Sequence, residues 1–140
     1  MKKENLFGYV PAITTPFNKK GEIMEDAFVD LFEFLIERGA TCVCIAGDNG
    51  ESWSLSAEER GRLVRLAKDT SRGRVPIMMG ISAPTIDASL SYIRAAEENG
   101  ADVLLSMPQT YVLKASDAEL MARFDKVSEA TNKPLVLYNS

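Results

Sequence analysis

The sequence contains no histidine, and this absence removes several kinds of chemistry. Neither a Ser-His-Asp triad nor a Cys-His pair can form within these 140 residues, and most zinc sites also use histidine. Catalysis would have to rely on tyrosine, hydroxyl, carboxyl, lysine or backbone groups. We therefore expect no metal site.

Cysteine is also scarce, because only Cys42 and Cys44 are present and they lie one residue apart. On an extended strand both side chains point to the same face, and a disulfide between them would be badly strained. Buried thiols in a reducing compartment fit this spacing. The cysteine content thus favours a cytoplasmic protein.

Long apolar runs and basic stripes are missing as well. No run approaches the ~20 apolar residues of a membrane span, and Pro11 interrupts the stretch after the basic N-terminus, so a signal peptide is not expected. The formal net charge is -4, and no stripe of lysine and arginine could neutralise phosphates. We expect neither a membrane nor a nucleic acid as a partner.

What the sequence does contain is a repeated unit of roughly 30 residues, in which a short apolar run precedes a polar loop and an amphipathic helix. The chain is 46% hydrophobic and 26% charged, which is typical of one globular domain, here expected over residues 1–140. Runs that are apolar on both faces are typical of buried parallel strands. These runs are residues 9–14, 41–46, 75–80, 102–106 and 134–138.

Helix signals alternate with the apolar runs. Residues 24–38 place apolar side chains at helical spacing. Ser56 and Ser116 each precede a glutamate by three residues, which predicts capping boxes for helices that extend to about residues 71 and 130. Thr85 is the predicted cap of a helix that extends to about residue 99. Left-handed helix ends are predicted at three glycines: Gly39, Gly73 and Gly100.

The predicted order is therefore βαβαβαβαβ, an α/β fold with a parallel sheet. Two architectures fit this order. One is an open doubly wound sheet, and the other is the N-terminal half of a (β/α)₈ TIM barrel, whose usual size is ~250 residues. The last residues follow a predicted strand without a covering helix, which favours a truncated barrel.

In both architectures a site would lie at the carboxyl ends of the strands. The residues there are small, hydroxylic and rich in glycine, which suits a small polar ligand with a carboxylate. Gly47 and Gly50 allow a tight turn that could present backbone N–H groups to an anion, or that could simply connect strand to helix. The residues at the predicted strand ends are 14–16, 47–51, 80–82, 106–108 and 138–139.

Six stretches of the chain form a recognisable series: Ala12-Ile13-Thr14-Thr15-Pro16-Phe17, Gly47-Asp48-Asn49-Gly50-Glu51, Ser54-Leu55-Ser56-Ala57-Glu58-Glu59-Arg60, Gly73-Arg74-Val75-Pro76-Ile77 continuing to Gly80, Gly100-Ala101-Asp102, and Leu137-Tyr138-Asn139. In order and spacing they resemble the N-terminal half of the dihydrodipicolinate synthase/N-acetylneuraminate lyase family. The resemblance covers nearly the whole chain. Its most specific part is the glycine loop followed by the Ser-Leu-Ser-x-Glu-Glu-Arg stretch.

The resemblance implies a class I (Schiff-base) lyase or aldolase on a TIM barrel, acting on pyruvate or another 2-oxo acid. In that family the imine-forming lysine lies at the end of the sixth strand, whereas this chain ends at the fifth predicted strand. The lysine is therefore expected beyond residue 140, and no other cofactor is expected. The chain alone would be inactive in imine chemistry, and the full-length form is expected to be a homo-oligomer.

Site residues follow from the same resemblance. Tyr138 matches the catalytic tyrosine, whose phenol can donate and accept a proton beside the carbonyl. The residues Gly47, Asp48, Asn49 and Gly50 match the substrate-binding loop, in which most members carry hydroxyl residues at one or both middle positions. Asn49 keeps a donor for the substrate carboxylate, whereas an ionised aspartate donates nothing.

The resemblance makes Asp48 a candidate catalytic residue as well, because most members use this position in a proton relay with the tyrosine. Three interpretations of Asp48 follow from the substitution. It could face away from the substrate carboxylate, act as a base toward a different substrate, or be a turn residue bonded to its own backbone. Family members often place paired tyrosines after a proline in the loop that follows the fourth strand. Here Tyr111 is the candidate catalytic residue after Pro108. Glu51 and Trp53 are predicted to be structural.

Two functions of different class remain open. The first is a carbon–carbon or carbon–oxygen lyase or aldolase that acts on a 2-oxo acid through a lysine imine, similar to dihydrodipicolinate synthase. The loop changes make a decarboxylating, dehydrating or aldol-cleaving relative at least as compatible as the lysine-biosynthetic synthase. The alternative is a non-catalytic, self-associating half-barrel that binds small carboxylates. An unrelated open-sheet binding module is a third possibility.

Overall fold

A computed structural model describes residues 6–108 and 115–139. Four helices and four strands alternate along these residues. In chain order the elements are α1 (Glu25–Glu37), β1 (Val43–Ile45), α2 (Ala57–Ser71), β2 (Ile77–Gly80), α3 (Ile86–Asn99), β3 (Val103–Ser106), α4 (Asp117–Glu129) and β4 (Leu135–Leu137). No helix in these ranges is both long and apolar enough to cross a bilayer.

The four strands form one parallel sheet in which neighbours along the chain are also neighbours in space, in the order β1-β2-β3-β4. A doubly wound sheet would reverse direction at a switch point, and the described strands contain no such reversal. A sheet that adds each strand on the same side is the arrangement of a barrel. The registers pair Val43 with Ile77, Met78 with Val103, and Leu104 with Leu135.

All four helices pack against the same face of the sheet. Phe28 and Phe32 of α1, Leu63 of α2, Ile93 of α3 and Val127 of α4 are buried in one hydrophobic core. The opposite face carries a separate, smaller cluster, which we call the inner cluster: Cys42, Cys44, Met78 and Val103, with Leu6, Val10, Leu105 and Val136 packed against it. Helices on one side only confirm the prediction of a TIM-barrel half over the doubly wound alternative.

The first predicted strand, residues 9–14, is an extended segment and not a regular strand. It lies parallel to β1 and meets it through a single bridge between Ala12 and Cys44. The Cys44 amide donates to the Pro11 carbonyl at 2.9 Å, and the Ile13 amide donates to the Cys44 carbonyl at 3.0 Å. Pro11 has no N–H to continue the ladder, which explains why the pairing stays short.

The predicted helix ends are present. The Ser56 side chain accepts from the Glu59 amide, and the Glu59 carboxylate accepts from the Ser56 amide at 2.8 Å, so the capping box is complete. Ser116 heads α4 in the same way, and Thr85 caps α3. Gly39, Gly73 and Gly100 have positive φ angles of 90°, 79° and 86°. These local signals fix the positions at which the helices begin and end.

An ion pair connects α2 with the sheet at the amino ends of the strands. Lys68 of α2 donates to both carboxylate oxygens of Asp102, at 3.0 and 3.1 Å, and Asp102 also accepts from the Ile77 amide at 2.8 Å. Asp102 immediately precedes β3, so this contact lies at the edge opposite the carboxyl ends of the strands. Lys68 is thereby held in a structural ion pair away from the predicted site.

Candidate active site

The glycine loop after β1 is folded into two short 3₁₀ turns, Asp48–Gly50 and Ser52–Ser54. The Gly50 amide donates to the Gly47 carbonyl, and the Glu51 amide donates to the Asp48 carbonyl, both at 3.0 Å. The Ser54 amide likewise donates to the Glu51 carbonyl at 2.9 Å, so all three of these N–H groups are used inside the loop. In the described part of the chain the amides of Asp48 and Asn49 have no acceptor, so these two remain for a ligand.

Two residues without the freedom of glycine adopt left-handed backbone conformations around this loop. Ala46 has a φ of 54° and Glu51 a φ of 56°. The left-handed turn at Ala46 brings its carbonyl close to Gly80 at the end of β2. A β-carbon on Gly80 would lie 2.0 Å from the Ala46 oxygen, so only glycine fits there. The loop and the end of the neighbouring strand are thus shaped together.

The loop rests on the extended segment that precedes α1. The Thr15 hydroxyl is buried and donates to the Gly50 carbonyl at 2.8 Å. A β-carbon on Gly50 would lie 2.9 Å from the Ile13 carbonyl oxygen. Within the loop, Gly50 therefore faces the extended segment and is buried against it, and it does not line the cavity described next. Its predicted part in substrate binding stays a prediction, and its position supports the turn.

A cavity of about 260 Å³ opens at the carboxyl ends of the strands; we call it the site cavity. It brings together four of the predicted residues, Gly47, Asp48, Asn49 and Tyr138, from opposite ends of the described sheet. Tyr138 directly follows β4, is 49% exposed, and its amide donates to the Ser106 carbonyl at 2.9 Å. The rest of the wall is mostly apolar: Ala12, Cys44, Leu105 and Met107.

The thiol side chain in that wall is held in its protonated form. Burial, with a smaller contribution from the neighbouring Cys42, raises the pKa of Cys44 to about 12. Burial also raises the pKa of Cys42 to about 11, assisted by the charge of Asp102. Cys42 and Cys44 therefore fit the expectation of buried, unreactive thiols.

A second cavity of about 450 Å³ adjoins the site cavity, and Asp48 lines both. Asp48 and Asn49 are exposed to solvent. Among residues 6–108 and 115–139 the Asp48 carboxylate forms no hydrogen bond, which leaves the interpretation as a self-bonded turn residue without support. The other residues around the second cavity are Ser52, Trp53, Arg60, Ser82, Ala83, Pro84 and Tyr92.

Arg60 anchors the loop from below. It is 1% exposed, and its guanidinium donates to the Gly80 carbonyl at 2.7 Å, to the Ser52 carbonyl at 2.5 Å and to the Leu55 carbonyl at 3.4 Å. Burial lowers the pKa of Arg60, and the adjacent Tyr92 opposes that change. The side chain thus connects the second 3₁₀ turn with the end of β2. The remaining predicted residue, Tyr111, lies outside the described residues.

The sequence matches the model of the dihydrodipicolinate synthetase family over residues 5–140. The chain belongs to this family. Curated family members include a 4-hydroxy-tetrahydrodipicolinate synthase from Salinibacter ruber, 36% identical over 140 residues that cover 99% of this chain and 46% of the relative. A synthase of the same name from Methanocaldococcus jannaschii is 36% identical over 132 residues, covering 94% and 45%. The chain spans about half the length of these relatives.

Solved structures agree with the family assignment and with the fold. Dihydrodipicolinate synthase from Acinetobacter baumannii complexed with pyruvate is 30% identical with a TM-score of 0.89, over 95% of this chain and 45% of that one. Dihydrodipicolinate synthase from Agrobacterium tumefaciens is 34% identical with a TM-score of 0.84, over 94% and 43%. The described sheet and helices are thus the N-terminal half of the family's barrel.

The structural role of Arg60 is the main feature that sequence reasoning missed within the family motif. A signal was present, because Arg60 is separated by three, four and seven residues from Leu63, Val64 and Ala67, which form the buried face of α2. A charged residue on an apolar helix face indicates a buried polar contact. Its acceptors, which include a carbonyl twenty positions along the chain, were not visible from that pattern.

Proposed function

We propose that the protein containing this segment is a carbon–carbon or carbon–oxygen lyase or aldolase that acts on pyruvate or another 2-oxo acid through a lysine imine. One observation supports the proposal above all others. The site cavity gathers a phenol, an amide and a carboxylate from Tyr138, Asn49 and Asp48 around a mostly apolar wall. The phenol can transfer protons and the amide can donate to a carboxylate, and both functions suit imine chemistry on a small oxo acid beside a lysine.

Each residue receives a role from its chemistry. The Asn49 side-chain amide and the amides of residues 48 and 49 would hold the carboxylate of the 2-oxo acid, since all three are N–H donors. The Tyr138 hydroxyl would move protons at the carbonyl oxygen and at the leaving water. Gly47 lines the cavity through its backbone, and a β-carbon there would make only ordinary van der Waals contact with Ala12, at 3.6 Å. Tyr111 is proposed as a further proton-transfer residue.

The imine lysine is proposed to come from outside these 140 residues. Lys68 and Lys126 belong to helices, and Lys133 precedes β4, so these three lie away from the carboxyl ends of the strands. The coverage of about 45% of the relatives' length supports a lysine in the other half of the barrel. The pyruvate complex of the Acinetobacter baumannii relative supports a small 2-oxo acid as ligand.

The proposal includes the working form of the full-length protein. We propose a homo-oligomer in the cytoplasm that uses no metal and no cofactor other than its own lysine. The β4 edge supports association of this segment with further structure, because Leu137 is 56% exposed beside Tyr138. An apolar side chain on an open strand edge favours pairing with another strand.

An intact mass spectrum of the native gene product, after incubation with pyruvate and borohydride, tests the proposal. The expected result is a protein about twice the mass of this segment, carrying one reduced pyruvyl group. The matched control omits borohydride and should show no adduct. A 15.4 kDa product without adduct that forms a stable dimer and binds carboxylates would instead support the non-catalytic half-barrel.

A further inference from the structure

The Arg60 side chain contacts the chain on both sides of the glycine loop. On the carboxyl side its guanidinium donates to the Ser52 carbonyl, at the start of the second 3₁₀ turn, and to the Leu55 carbonyl after that turn. On the amino side it donates to the Gly80 carbonyl at 2.7 Å. A β-carbon on Gly80 would lie 2.0 Å from the Ala46 oxygen, and Ala46 immediately precedes the loop. One side chain therefore connects the two ends of the loop.

The position of the second turn determines the orientation of the first. Glu51 ends the first turn and begins the second, with a φ of 56° and a ψ of 46°. Its amide donates to the Asp48 carbonyl at 3.0 Å, and its carbonyl accepts from the Ser54 amide at 2.9 Å. The two turns are thus hydrogen-bonded through one shared residue. A displacement of Ser52 would therefore reorient the amides of residues 48 and 49, to which the proposed function assigns the ligand carboxylate.

A guanidinium group is suited to this task, because its N–H groups leave one plane in fixed directions. A lysine keeps the charge, but its single nitrogen on a flexible stem cannot reach the Ser52 and Gly80 carbonyls in the same two directions. Hydrogen bonds weaken steeply when their angle departs from linear. One hydrogen bond to a charged group changes an affinity about tenfold or more. A small displacement of the loop amides is thus enough to weaken the binding of a carboxylate.

We infer that Arg60 is a positioning residue for recognition of the substrate carboxylate, because it holds the glycine loop in the orientation that directs the amides of residues 48 and 49 to that group. This inference rests on the proposed function, since the carboxylate is that of the proposed 2-oxo acid. Arg60 acts through the backbone of the loop, because its N–H groups donate to carbonyls of the chain. Its effect should therefore depend on whether the ligand carries a carboxylate.

The test compares borohydride trapping of two ligands by the full-length protein. Pyruvate carries a carboxylate, and pyruvamide carries a neutral amide group of nearly the same size at the same place. The half-saturating concentrations of both are measured in wild type, in Arg60→Lys, which keeps the charge, and in Arg62→Lys, on the exposed face of the same helix, as the matched control. The readout is the ratio of the two concentrations. Partial unfolding lowers the trapped amount of both ligands alike and leaves this ratio unchanged.

We expect wild type and Arg62→Lys to prefer pyruvate to the same extent, and Arg60→Lys to reduce that preference about tenfold. If Arg60→Lys does not fold, Tyr92→Leu replaces it in the test. This variant removes the ring beside the guanidinium and should reduce the preference about threefold.

Three results would overturn this inference alone, provided that wild type traps pyruvate. The first is an unchanged preference in folded Arg60→Lys, the second is an unchanged preference in Tyr92→Leu where that variant replaces it, and the third is equal affinity of wild type for the two ligands. Failure of wild type to trap pyruvate would overturn the inference together with the proposed function.

Discussion

The guanidinium carbon of Arg60 lies 3.7 Å from the centroid of the Tyr92 ring. Tyr92 belongs to α3 and Arg60 to α2, so the stacked pair joins two neighbouring helices directly beneath the glycine loop. The guanidinium plane is covered by the ring while its edge donates to three carbonyls. This combination satisfies a buried charge without a carboxylate partner.

Replacement of Arg60 by lysine should destabilise the protein strongly. A lysine cannot reproduce the planar fork, so carbonyls such as that of Gly80 would lose their donors, and we expect a loss of about 2–4 kcal/mol. Urea unfolding of the purified protein measures this loss. Arg62→Lys, on the exposed face of the same helix and paired with Glu25, is the control and should cost at most about 1 kcal/mol. Equal losses in both variants would contradict the anchoring role.

Two glycines should respond very differently to alanine. Gly80→Ala places a methyl group 2.0 Å from the Ala46 oxygen, so the loop must move, at a cost on the order of 3 kcal/mol. Gly73→Ala meets no atom within 4 Å but keeps a φ of 79°, so only about 1 kcal/mol of backbone strain is expected. Thermal unfolding measures the loss of stability in each variant, and Gly80→Ala should have the lower melting temperature. A more costly Gly73→Ala would contradict the close approach at Gly80.

The two buried thiols should make stability fall at alkaline pH. Unfolded cysteines ionise near pH 8.5, whereas the folded pKa values are raised to about 11 for Cys42 and about 12 for Cys44. Above about pH 8.5 the unfolded state binds fewer protons than the folded state, so stability decreases as pH rises. Each thiol should lower the free energy of unfolding by about 1 kcal/mol for every pH unit between pH 9 and 11.

Urea unfolding at a series of pH values checks this contribution. The double variant with Cys42→Ala and Cys44→Ala should lose the extra slope, although its absolute stability is lower. Under native conditions at pH 8 both wild-type thiols should resist alkylation, and both should be alkylated in urea. Rapid alkylation of Cys44 in the folded protein would show that its wall position leaves it ionised.

Removal of the Tyr138 hydroxyl should slow proton transfer in the full-length protein. The Tyr138→Phe variant keeps the ring but cannot donate or accept a proton, so we expect exchange of the pyruvate methyl protons with deuterium to slow about 100-fold. NMR follows this exchange without a second substrate. Tyr9→Phe, in the extended segment before β1, is the matched control and should exchange at the wild-type rate. A wild-type rate in Tyr138→Phe would exclude the tyrosine from catalysis.

Local signals explain why much of the fold could be predicted. The capping boxes at Ser56 and Ser116 depend on residues three positions apart, and their spacing alone identifies them. The first strand was the least accurate prediction, because apolar character suggested pairing that Pro11 cannot extend. Tyr138 lies near the glycine loop because each new strand of the parallel sheet is added on the same side. The βα repeat alone did not decide between this strand order and that of a doubly wound sheet.

The left-handed residues Ala46 and Glu51 have a consequence for how the loop binds. Each conformation costs about 1–2 kcal/mol in a residue with a β-carbon, so it persists only because Arg60, Thr15 and Gly80 hold the surrounding chain in place. The loop is consequently preorganised, and a ligand need not order it on arrival. Binding then costs little conformational entropy of the loop. A ligand that fits poorly is bound weakly, because the rigid loop does not adjust to its shape.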